Sequence, residues 1–421
     1  MNKDRCFYMN LDFYRGKRVL VTGHTGFKGS WLVRILSLAG AEICGYACEP
    51  PTERNLFTEA GIGELLQGRD VRGDIRDFDR LLQTFTEFRP EIVLHLAAQP
   101  IVRVSYAEPV LTYETNVMGT VNVMECVRCT PSVKSVLNVT TDKVYENPEE
   151  NRGFTEDDRL DGYDPYSNSK SCSELVTHCY KRSFLDALGI PVSTARAGNV
   201  IGGGDYQKDR IVPDCVRAAE AGEPIILRNP NSVRPYQHVL EPLFVYLTIA
   251  AAQAEDKSLA GGYNVGPDLS DCLTTGELAD LFCRFAGSGL TRKSLNDNGP
   301  HEAGFLRLDN TKLKKTFGWK PVWNAEEAIC RSLSPTFCAA LPLMPLSISS
   351  NTSVSMSSTS AITVLIASIT RDSSPPDATL AMDFAGSPAL AAIRNSTLSP
   401  PVTVSEVGVT DTSSFTCGIS R

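Results

Sequence analysis

The stretch VLVTGHTGFKG, residues 19–29, decides the fold, because a β-branched apolar run leads directly into three glycines. Gly23, Gly26 and Gly29 precede residues 30–39, whose pattern is typical of a helix. Glycine permits a tight turn, and a helix N-terminus presents free N–H groups to phosphate. The stretch therefore predicts a strand, a turn and a helix that together bind the pyrophosphate of a dinucleotide.

Further along the chain, short apolar runs alternate with polar or amphipathic segments. The runs cover residues 18–22, 42–46, 92–96, 136–140 and 191–195. This alternation predicts βαβ units, and hence an α/β fold of the Rossmann type with a doubly wound parallel sheet. Ligands of such sheets bind at the carboxyl ends of the strands, where polar residues follow several of the runs.

The composition divides the chain into three parts. Residues 13–200 are predicted to form the NAD-binding Rossmann domain, and residues 201–330, richer in proline, a smaller substrate-binding lobe; the chain can cross between the two. Residues 331–421 contain 31 Ser or Thr, nine charged residues and no lysine. Such a composition indicates a disordered or out-of-frame tail, to which we assign no function.

A second motif supplies the chemistry. Tyr166 and Lys170 are four residues apart, so that on a helix they share one face. A neighbouring cation stabilises phenolate and lowers the pKa of a tyrosine, which makes it a base. Together with a glycine turn about 140 residues earlier, the pair predicts a redox enzyme with a nicotinamide cofactor.

The choice between NAD and NADP stays open on the residues alone. The acidic residue expected about 20 positions after the glycines is missing, and Glu49 and Glu53 lie beyond the second predicted strand. Arg54 is a candidate for binding a 2′-phosphate or a surface residue. Asp74 is a candidate acceptor for the adenine amine, and its alternative role is a helix N-cap.

Bulk properties exclude several classes of function. A net charge of −8 and a pI near 5.3 argue against nucleic-acid or anionic-membrane partners. No apolar run approaches the roughly 20 residues of a membrane span, and we expect a cytoplasmic enzyme. The CxxC of Cys126 and Cys129 has no second pair beside it, so we expect reduced cysteines and no metal site.

These and later motifs together resemble the extended short-chain dehydrogenases/reductases, and within them the nucleotide-sugar 4,6-dehydratases. The resemblance covers about residues 13–330 and includes the glycine turn, Leu96-Ala97-Ala98, Asn116, Thr141-Asp142-Lys143, Tyr166-x-x-x-Lys170, RAGNVIGGGD (196–205), DRIVPD (209–214), RPYQHV (234–239) and His301-Glu302-Ala303. The Asp-Lys version of the central signature is similar to the branch that acts on CDP-glucose.

The resemblance implies a role for each motif residue. It implies a catalytic set of Thr141, Asp142, Lys143, Tyr166 and Lys170. For NAD it implies contacts from Tyr166, Lys170, Gly23, Thr25, Gly26, Phe27, Gly29, Asp74, Ile75, Ala97, Ala98 and Asn116. Polar residues among the later turns are expected to hold the nucleotide sugar: Asn199, Arg210, Arg234 and His238. Arg103, in an earlier loop, is a candidate for binding the diphosphate or a surface residue. Lys143 is either the base at C5 or an ion-pair partner of Asp142.

The implied reaction is the dehydration of CDP-glucose to CDP-4-keto-6-deoxyglucose, within deoxysugar and lipopolysaccharide O-antigen biosynthesis. A homo-oligomer, dimer or tetramer, is expected as well. Two other interpretations remain open: an epimerase or dehydratase for another nucleotide sugar, and a non-catalytic dinucleotide-binding protein. Asp142-Lys143 counts against an epimerase, which needs no C6 acid or C5 base, and Tyr166 with Lys170 counts against a non-catalytic protein.

Overall fold

A seven-stranded parallel sheet organises the computed structural model, which describes residues 11–287, 289–295 and 303–333. The strands are β1 (Arg18–Thr22), β2 (Glu42–Ala47), β3 (Asp70–Arg72), β4 (Ile92–His95), β5 (Ser135–Thr141), β6 (Val192–Ala197), β7 (Val200–Ile201), β8 (Ile225–Leu227), β9 (Val233–Arg234), β10 (Gln237–His238), β11 (Gly262–Val265), β12 (Leu273–Thr274) and β13 (Arg292–Ser294). The large sheet has the order β11-β6-β5-β4-β1-β2-β3, and the order turns back between β1 and β4. The carboxyl ends of these two strands therefore define the switch point at which ligands of such sheets bind.

Helices cover both faces of this sheet. They are α1 (Phe27–Leu38), α2 (Leu56–Glu59), α3 (Ile62–Leu65), α4 (Phe78–Phe88), α5 (Val102–Ala107), α6 (Pro109–Tyr113), α7 (Gly119–Arg128), α8 (Pro165–Tyr180), α9 (Asp186–Leu188), α10 (Ile211–Ala221), α11 (Leu240–Glu255), α12 (Thr275–Ala286), α13 (Thr311–Phe317) and α14 (Ala325–Leu333). Val136 of β5 packs in one core with α4 and α7. Its neighbour Ser135 points the other way and donates to the Ala250 carbonyl of α11 at 2.7 Å. Because side chains alternate along a strand, α11 lies on the opposite face.

A second apolar core lies in the later part of the chain. It joins α10, α12 and α14 through buried Val212, Leu278, Phe282 and Ile329, and the short strands β8 and β13 pair beside it. The same part of the chain also returns to the large sheet, where β11 pairs with β6 from Gly262 to Val265. The later residues therefore build a second core and also complete the sheet.

Two helical segments contain a π turn. Residues Glu114–Met118 connect α6 to α7, and the N–H of Gly119 donates to the Glu114 carbonyl, five residues earlier. Residues Lys181–Leu185 connect α8 to α9 in the same way. Each turn holds one residue more than an α-helical turn, and such turns are frequent at functional sites.

The α/β fold and its parallel sheet confirm the prediction from the alternating pattern. The five apolar runs are β1, β2, β4, β5 and β6, with bounds that shift by one or two residues. The pattern missed β3 and β11, which are short and contain a charged residue or a glycine. In the described residues, no helix is long and apolar enough to cross a membrane. The predicted tail lies outside the described residues from 334 onward, as do His301 and Glu302.

Candidate active site

The glycine turn between β1 and α1 is shaped by close backbone contacts. Gly23 has a φ of +75°, and a Cβ there would lie 2.7 Å from the Ala97 nitrogen. A Cβ on Gly29 would lie 2.1 Å from the Gly23 carbonyl oxygen. Gly26 caps α1 without a side-chain hydrogen bond, so that the first amides of the helix receive no acceptor from the cap. This turn fits the pyrophosphate of a dinucleotide, because the free amides and the helix dipole both favour an anion.

The other predicted cofactor residues surround this turn. The hydroxyl of Thr25 donates to the Cys48 carbonyl at 3.0 Å and ties the turn to the end of β2. Phe27 and Ala98 line the cavity above the sheet. Ile75 is buried in the core, where it packs so closely that a Cβ on Gly119 would lie 2.7 Å from it. Ile75 is not among the residues that line the cavity, and its predicted contact with NAD stays a prediction.

Asp74 does not cap a helix, and the N-cap alternative for it is wrong. Its carboxylate accepts hydrogen bonds from the backbone and the guanidinium of Arg76, and these contacts lower the pKa of Asp74. The cap of α4 is Asp77, which accepts from the Arg80 N–H at 3.1 Å. Asp74 is ionised and partly exposed, as an acceptor for an amine requires.

The glycine turn packs directly against β2, which holds no acidic residue after Glu42. The ring of His24 fills the space at Gly45, where a Cβ would lie 2.5 Å from it, and His24 bonds to Asp70 of β3 at 2.8 Å. Arg54 is paired with Glu59 at 2.7 Å and lies over the Tyr206 ring. The arginine considered for a 2′-phosphate is therefore held by other contacts.

Asn116 lies in the first π turn and is buried. Its side-chain oxygen accepts from the Gln99 N–H at 2.8 Å, and its nitrogen donates to the Gln99 carbonyl and to Ser169 of α8. Asn116 therefore joins the loop after β4 to the helix that carries Tyr166. Its contacts are those of a positioning residue.

Tyr166 and Lys170 lie on one face of α8 and both line the cavity. Burial raises the pKa of Tyr166 to about 12, and a hydrogen bond with the Thr141 hydroxyl opposes this rise. Lys170 donates to the Val139 carbonyl at 3.2 Å, and burial lowers the pKa of its ammonium to about 8. The spacing is as predicted, but the predicted fall in the tyrosine pKa is not seen, because burial is the largest contribution and only the Thr141 hydrogen bond and Arg210 oppose it.

Thr141, Asp142 and Lys143 follow directly at the end of β5. The Thr141 hydroxyl donates to Asp142 Oδ1 at 2.9 Å, and Lys143 Nζ lies 3.0 Å from the same oxygen. Asp142 is 1 % exposed, and its second oxygen has no hydrogen-bond partner among the described residues. Lys143 lines the cavity, 21 % exposed. The site thus holds a buried carboxyl group beside a lysine that can reach a ligand.

A buried ion pair supports α8 from the sheet side, and the sequence reasoning missed it. Glu174, one turn after Lys170, bonds to Arg196 of β6 at 3.0 Å and accepts from the hydroxyls of Thr140 and Thr194. Both charged side chains are at most 2 % exposed. Because an unpaired buried charge is costly, this network fixes where α8 sits on β5 and β6.

Four of the five predicted substrate residues line the cavity, which has a volume of about 530 Å³. They are Arg103, Asn199, Arg210 and Arg234. Arg210 pairs with Asp205 at 3.0 Å, and Arg234 donates to the carbonyls of Val233 and Ala303. Volume and lining suit a ligand of nucleotide size with a diphosphate.

His238 is the exception, and its prediction as a substrate contact needs correcting. It is 1 % exposed, packs edge-on against Trp323 at 5.0 Å and accepts from the Leu240 N–H. Burial lowers the pKa of His238 to about 3. The position of His238 among polar turn residues suggested a ligand contact, but its side chain is buried against Trp323.

Lys28 lines the cavity, and the sequence analysis gave it no role. It follows Phe27 in the first turn of α1 and is half-buried. The signal that could have found it is its position, since a cation at a helix N-terminus opposes the helix dipole.

The doubly wound sheet, the glycine turn and the Tyr166–Lys170 pair define a short-chain dehydrogenase/reductase of the extended type. Residues 20–332 match the family described as GDP-mannose 4,6 dehydratase, and the chain belongs to that family. The CDP-glucose 4,6-dehydratase of Salmonella typhimurium is 45% identical over 329 residues, which are 77% of this chain and 91% of that protein. The dTDP-glucose 4,6-dehydratase of Xanthomonas campestris pv. campestris is 28% identical over 75% of this chain and 91% of its own length.

Solved structures agree with the fold. The UDP-glucose 4-epimerase of Thermus thermophilus, solved in complex with NAD, is 28% identical with a TM-score of 0.63, over 75% of this chain and 97% of that one. The dTDP-glucose 4,6-dehydratase of Bacillus anthracis has a TM-score of 0.62 at 22% identity, over 75% of this chain and 95% of that one. The first of these structures binds NAD on a sheet of the same kind.

Proposed function

We propose that this protein is a lyase that converts CDP-glucose to CDP-4-keto-6-deoxyglucose with NAD as its cofactor. The observation that carries the proposal is that Lys143, which is ion-paired with the buried Asp142, lines the same cavity as Tyr166 and Lys170. An oxidoreductase or epimerase of this fold needs the tyrosine and the lysine but no further acid and base for the loss of water. A dehydratase also needs an acid for the leaving hydroxyl and a base for the neighbouring carbon. The 45% identity to a CDP-glucose 4,6-dehydratase supports the same substrate.

Loss of water from C5 and C6 of glucose requires a ketone at C4, because only then is the C5 hydrogen acidic. The chemistry that NAD supplies when bound is reversible hydride transfer. The proposed cofactor site consists of the turn of Gly23, Gly26 and Gly29 with the wall of Phe27 and Ala98.

The proton movements belong to the protein's own side chains. Tyr166 takes the proton of the C4 hydroxyl, and Lys170 stabilises the phenolate that this step requires. Thr141, which is hydrogen-bonded to Tyr166, stabilises the C4 oxygen as it gains charge. Transfer of a proton from Lys143 Nζ to Asp142 Oδ1, 3.0 Å away, gives a neutral lysine and a protonated carboxyl group. Lys143 then removes the C5 proton, and Asp142 protonates the leaving C6 hydroxyl. The ion pair between the last two holds them side by side.

Arginines hold the diphosphate in this proposal. Arg103, Arg210 and Arg234 line the cavity and can offer a fork of donors to phosphate oxygens. Asn199 is the proposed contact for the sugar or base, and residues 201–330 serve as the substrate lobe over the Rossmann domain of residues 13–200. NAD is favoured over NADP because Arg54 is engaged by Glu59 and Tyr206. We place the enzyme in the cytoplasm, where nucleotide sugars are made.

A homodimer is the proposed assembly. Exposed apolar side chains lie along two neighbouring helical segments, from α6 to α7 and from α8 to α9. This apolar strip consists of Val110, Tyr113, Met118, Leu175, Phe184 and Leu188. Exposed apolar side chains concentrated on neighbouring helices favour an interface between copies of a chain.

The substrate is tested by incubating the purified full-length chain with NAD and either CDP-glucose or dTDP-glucose. We expect the 4-keto product, detected by its absorbance in alkali, from CDP-glucose at a rate far above that from dTDP-glucose. An equal or faster reaction of dTDP-glucose would overturn the substrate, and a C4 epimer without ketone would overturn the reaction.

A double variant tests the Asp142–Lys143 assignment. Asp142→Asn with Lys143→Met should still oxidise the sugar at C4 but stall before water is lost, because the acid and the base are gone. We expect an absorbance rise near about 340 nm without 4-keto-6-deoxy product. Product formation at the wild-type rate would contradict the assignment.

A further inference from the structure

The loop of residues 202–210, between β7 and α10, forms part of the cavity wall. Asp205 and Arg210 both line the cavity, and their side chains are joined by an ion pair of 3.0 Å. Residues 206–208, which lie between them in the chain, are not among the residues that line this cavity. A contact that fixes the loop at Asp205 therefore also determines where the guanidinium of Arg210 lies.

The backbone of this loop is left-handed at two residues. Gly204 has a φ of +85° and Asp209 a φ of +63°. This region is unfavourable for residues other than glycine, so Asp209 must be held there by its contacts. Its carboxylate pairs with Arg228 at 2.6 Å. The turn at Asp209 is followed directly by Arg210, which reaches back to Asp205.

A cluster of three side chains ties the loop to the segment that follows β2. The Tyr206 hydroxyl donates to Glu59 Oε2 at 2.5 Å, and Arg54 Nε donates to Glu59 Oε1 at 2.7 Å. The guanidinium of Arg54 also lies over the Tyr206 ring, 4.6 Å from its centre. Each member of this Tyr206 cluster therefore contacts the other two.

The segment that carries the other two members of the cluster is fixed to the glycine turn. Phe57, in the short helix α2 that ends at Glu59, is buried and packs edge-on against His24 at 5.5 Å. From α1, Trp31 donates to the Gly203 carbonyl at 3.1 Å. The loop is thus held near its start by contacts from the first sixty residues of the chain.

α10 holds the backbone of the same loop from the other side. Arg217 donates to the carbonyls of Tyr206 and Gln207 at 3.2 and 3.3 Å. These bonds fix the path of the backbone whatever the side chain at position 206 is. The hydroxyl of Tyr206 is a separate contact, which can be removed while the bonds from Arg217 stay in place.

We propose that Tyr206 is a positioning residue for the substrate. Its bond to Glu59 fixes the loop, and the loop in turn holds Arg210 where it receives the diphosphate of the nucleotide sugar. This inference rests on the proposed function, which assigns Arg210 to the diphosphate. An arginine that is already held in place loses less freedom on binding a phosphate than a mobile one does. Loss of the Tyr206 hydroxyl should therefore weaken substrate binding and leave the chemistry of the sugar unchanged.

Tyr206→Phe tests the proposal, because it removes the hydroxyl and keeps the ring beside Arg54. The KM for CDP-glucose and the calorimetric dissociation constant of CDP should rise roughly tenfold, the effect of one hydrogen bond to a charged group. The kcat should stay within about twofold, since a diphosphate contact is the same in the ground and transition states. Binding of NADH should not change. Tyr180→Phe is the matched control, because it removes a phenol-to-carboxylate bond to Glu125 of 3.4 Å elsewhere.

Proteolysis measures the loop itself without substrate. Lys208 is exposed in the middle of the loop, and trypsin cleaves after it when the loop opens. In the full chain, cleavage after Lys208, identified by mass spectrometry, should be roughly tenfold faster in Tyr206→Phe. Glu59→Gln weakens the acceptor of the same bond and should change cleavage and CDP binding in the same direction. Added to Tyr206→Phe it should have little further effect, since both variants remove one contact.

Each outcome decides a separate question. Cleavage after Lys208 at the wild-type rate would show that the loop is held without Tyr206, and the proposal would be wrong. Faster cleavage with an unchanged dissociation constant of CDP, or a lower kcat at an unchanged KM, overturns it as well. If the wild-type chain binds neither CDP nor CDP-glucose, the proposed substrate fails and the positioning role falls with it. Glu59→Gln decides the matter if Tyr206→Phe does not fold.

Discussion

At the scale of single residues, burial governs the chemistry of the proposed base. Tyr166 is 9 % exposed and its pKa is raised to about 12, so that the phenol is protonated in the protein alone. The proton can leave near neutral pH only if positive charge accumulates nearby. Arg210 acts in this direction on Tyr166. Lys170 and Lys28 line the same cavity, and both have a lowered pKa themselves. A rise in pH therefore deprotonates these two lysines, which would stabilise the phenolate, while it also favours loss of the phenol proton.

Tyr166→Phe tests the base directly. The variant loses one hydroxyl and little volume, so turnover should fall by at least about 10²-fold while NADH binding stays near the wild-type value. The measurements are steady-state formation of the 4-keto product and calorimetric titration with NADH. Retention of more than a few per cent of turnover would contradict the assignment, and lost binding would instead indicate a structural role.

The residue-level predictions succeeded where spacing alone carries the information. Tyr166 and Lys170 share a face because they are four apart, and Lys143 reaches Asp142 because they are adjacent. Burial is a property of the tertiary structure, so the core position of His238 and the pairing of Glu174 with Arg196 left no local signal in the sequence. For the same reason the pKa of Tyr166 was predicted in the wrong direction.

At the scale of elements, one carboxyl group fastens α11 to the end of the described chain. Glu241, in the first turn of α11, accepts from the backbone N–H groups of Val322 and Trp323, each at 3.0 Å. It is 7 % exposed, and burial raises its pKa to about 7. The folded state therefore binds a proton here that the unfolded state releases near its ordinary pKa of about 4.3.

This clamp predicts that stability falls as the pH rises from about 4.3 to about 7. Glu241→Gln keeps the acceptor oxygen and removes the buried charge. It should raise the free energy of unfolding by ~2–3 kcal/mol at about pH 8 and change it little at about pH 4.5. Urea unfolding at both pH values measures this, with Glu255→Gln at the exposed end of the same helix as the control. Equal shifts at both pH values would show that the carboxyl does not titrate on folding.

Element prediction succeeded for long apolar runs and failed for short polar strands. β1, β4 and β5 were recognisable because a parallel strand covered on both faces is largely apolar and buried along its length. β3 has three partly exposed residues, and β11 contains a glycine and an asparagine. These two strands pair with β2 and β6 through backbone groups that are independent of side-chain type.

At the scale of the whole molecule, the apolar strip predicts the assembly. Val110 is 70 % exposed and Leu175 is 53 % exposed, and burying such side chains against a second copy stabilises a dimer. Val110→Glu with Leu175→Glu should convert the dimer to a monomer in light scattering at micromolar concentration. Leu269→Glu, an exposed apolar residue outside the strip, is the control. A wild-type monomer, or a dimer that the double variant leaves intact, would contradict this interface.

The two π turns also bear on which mutations these segments can accept in evolution. Each holds one residue more than the helix around it, as an insertion of a single codon would leave behind. Removing one residue from 114–118 would rotate the preceding helix by about 100° against α7 and break the link from Asn116 to Gln99. Substitutions on the outer face of this segment are thus tolerable where a one-residue deletion is not. Selection here acts on the length of the segment, and a mutational scan with deletions would detect it where a substitution scan would not.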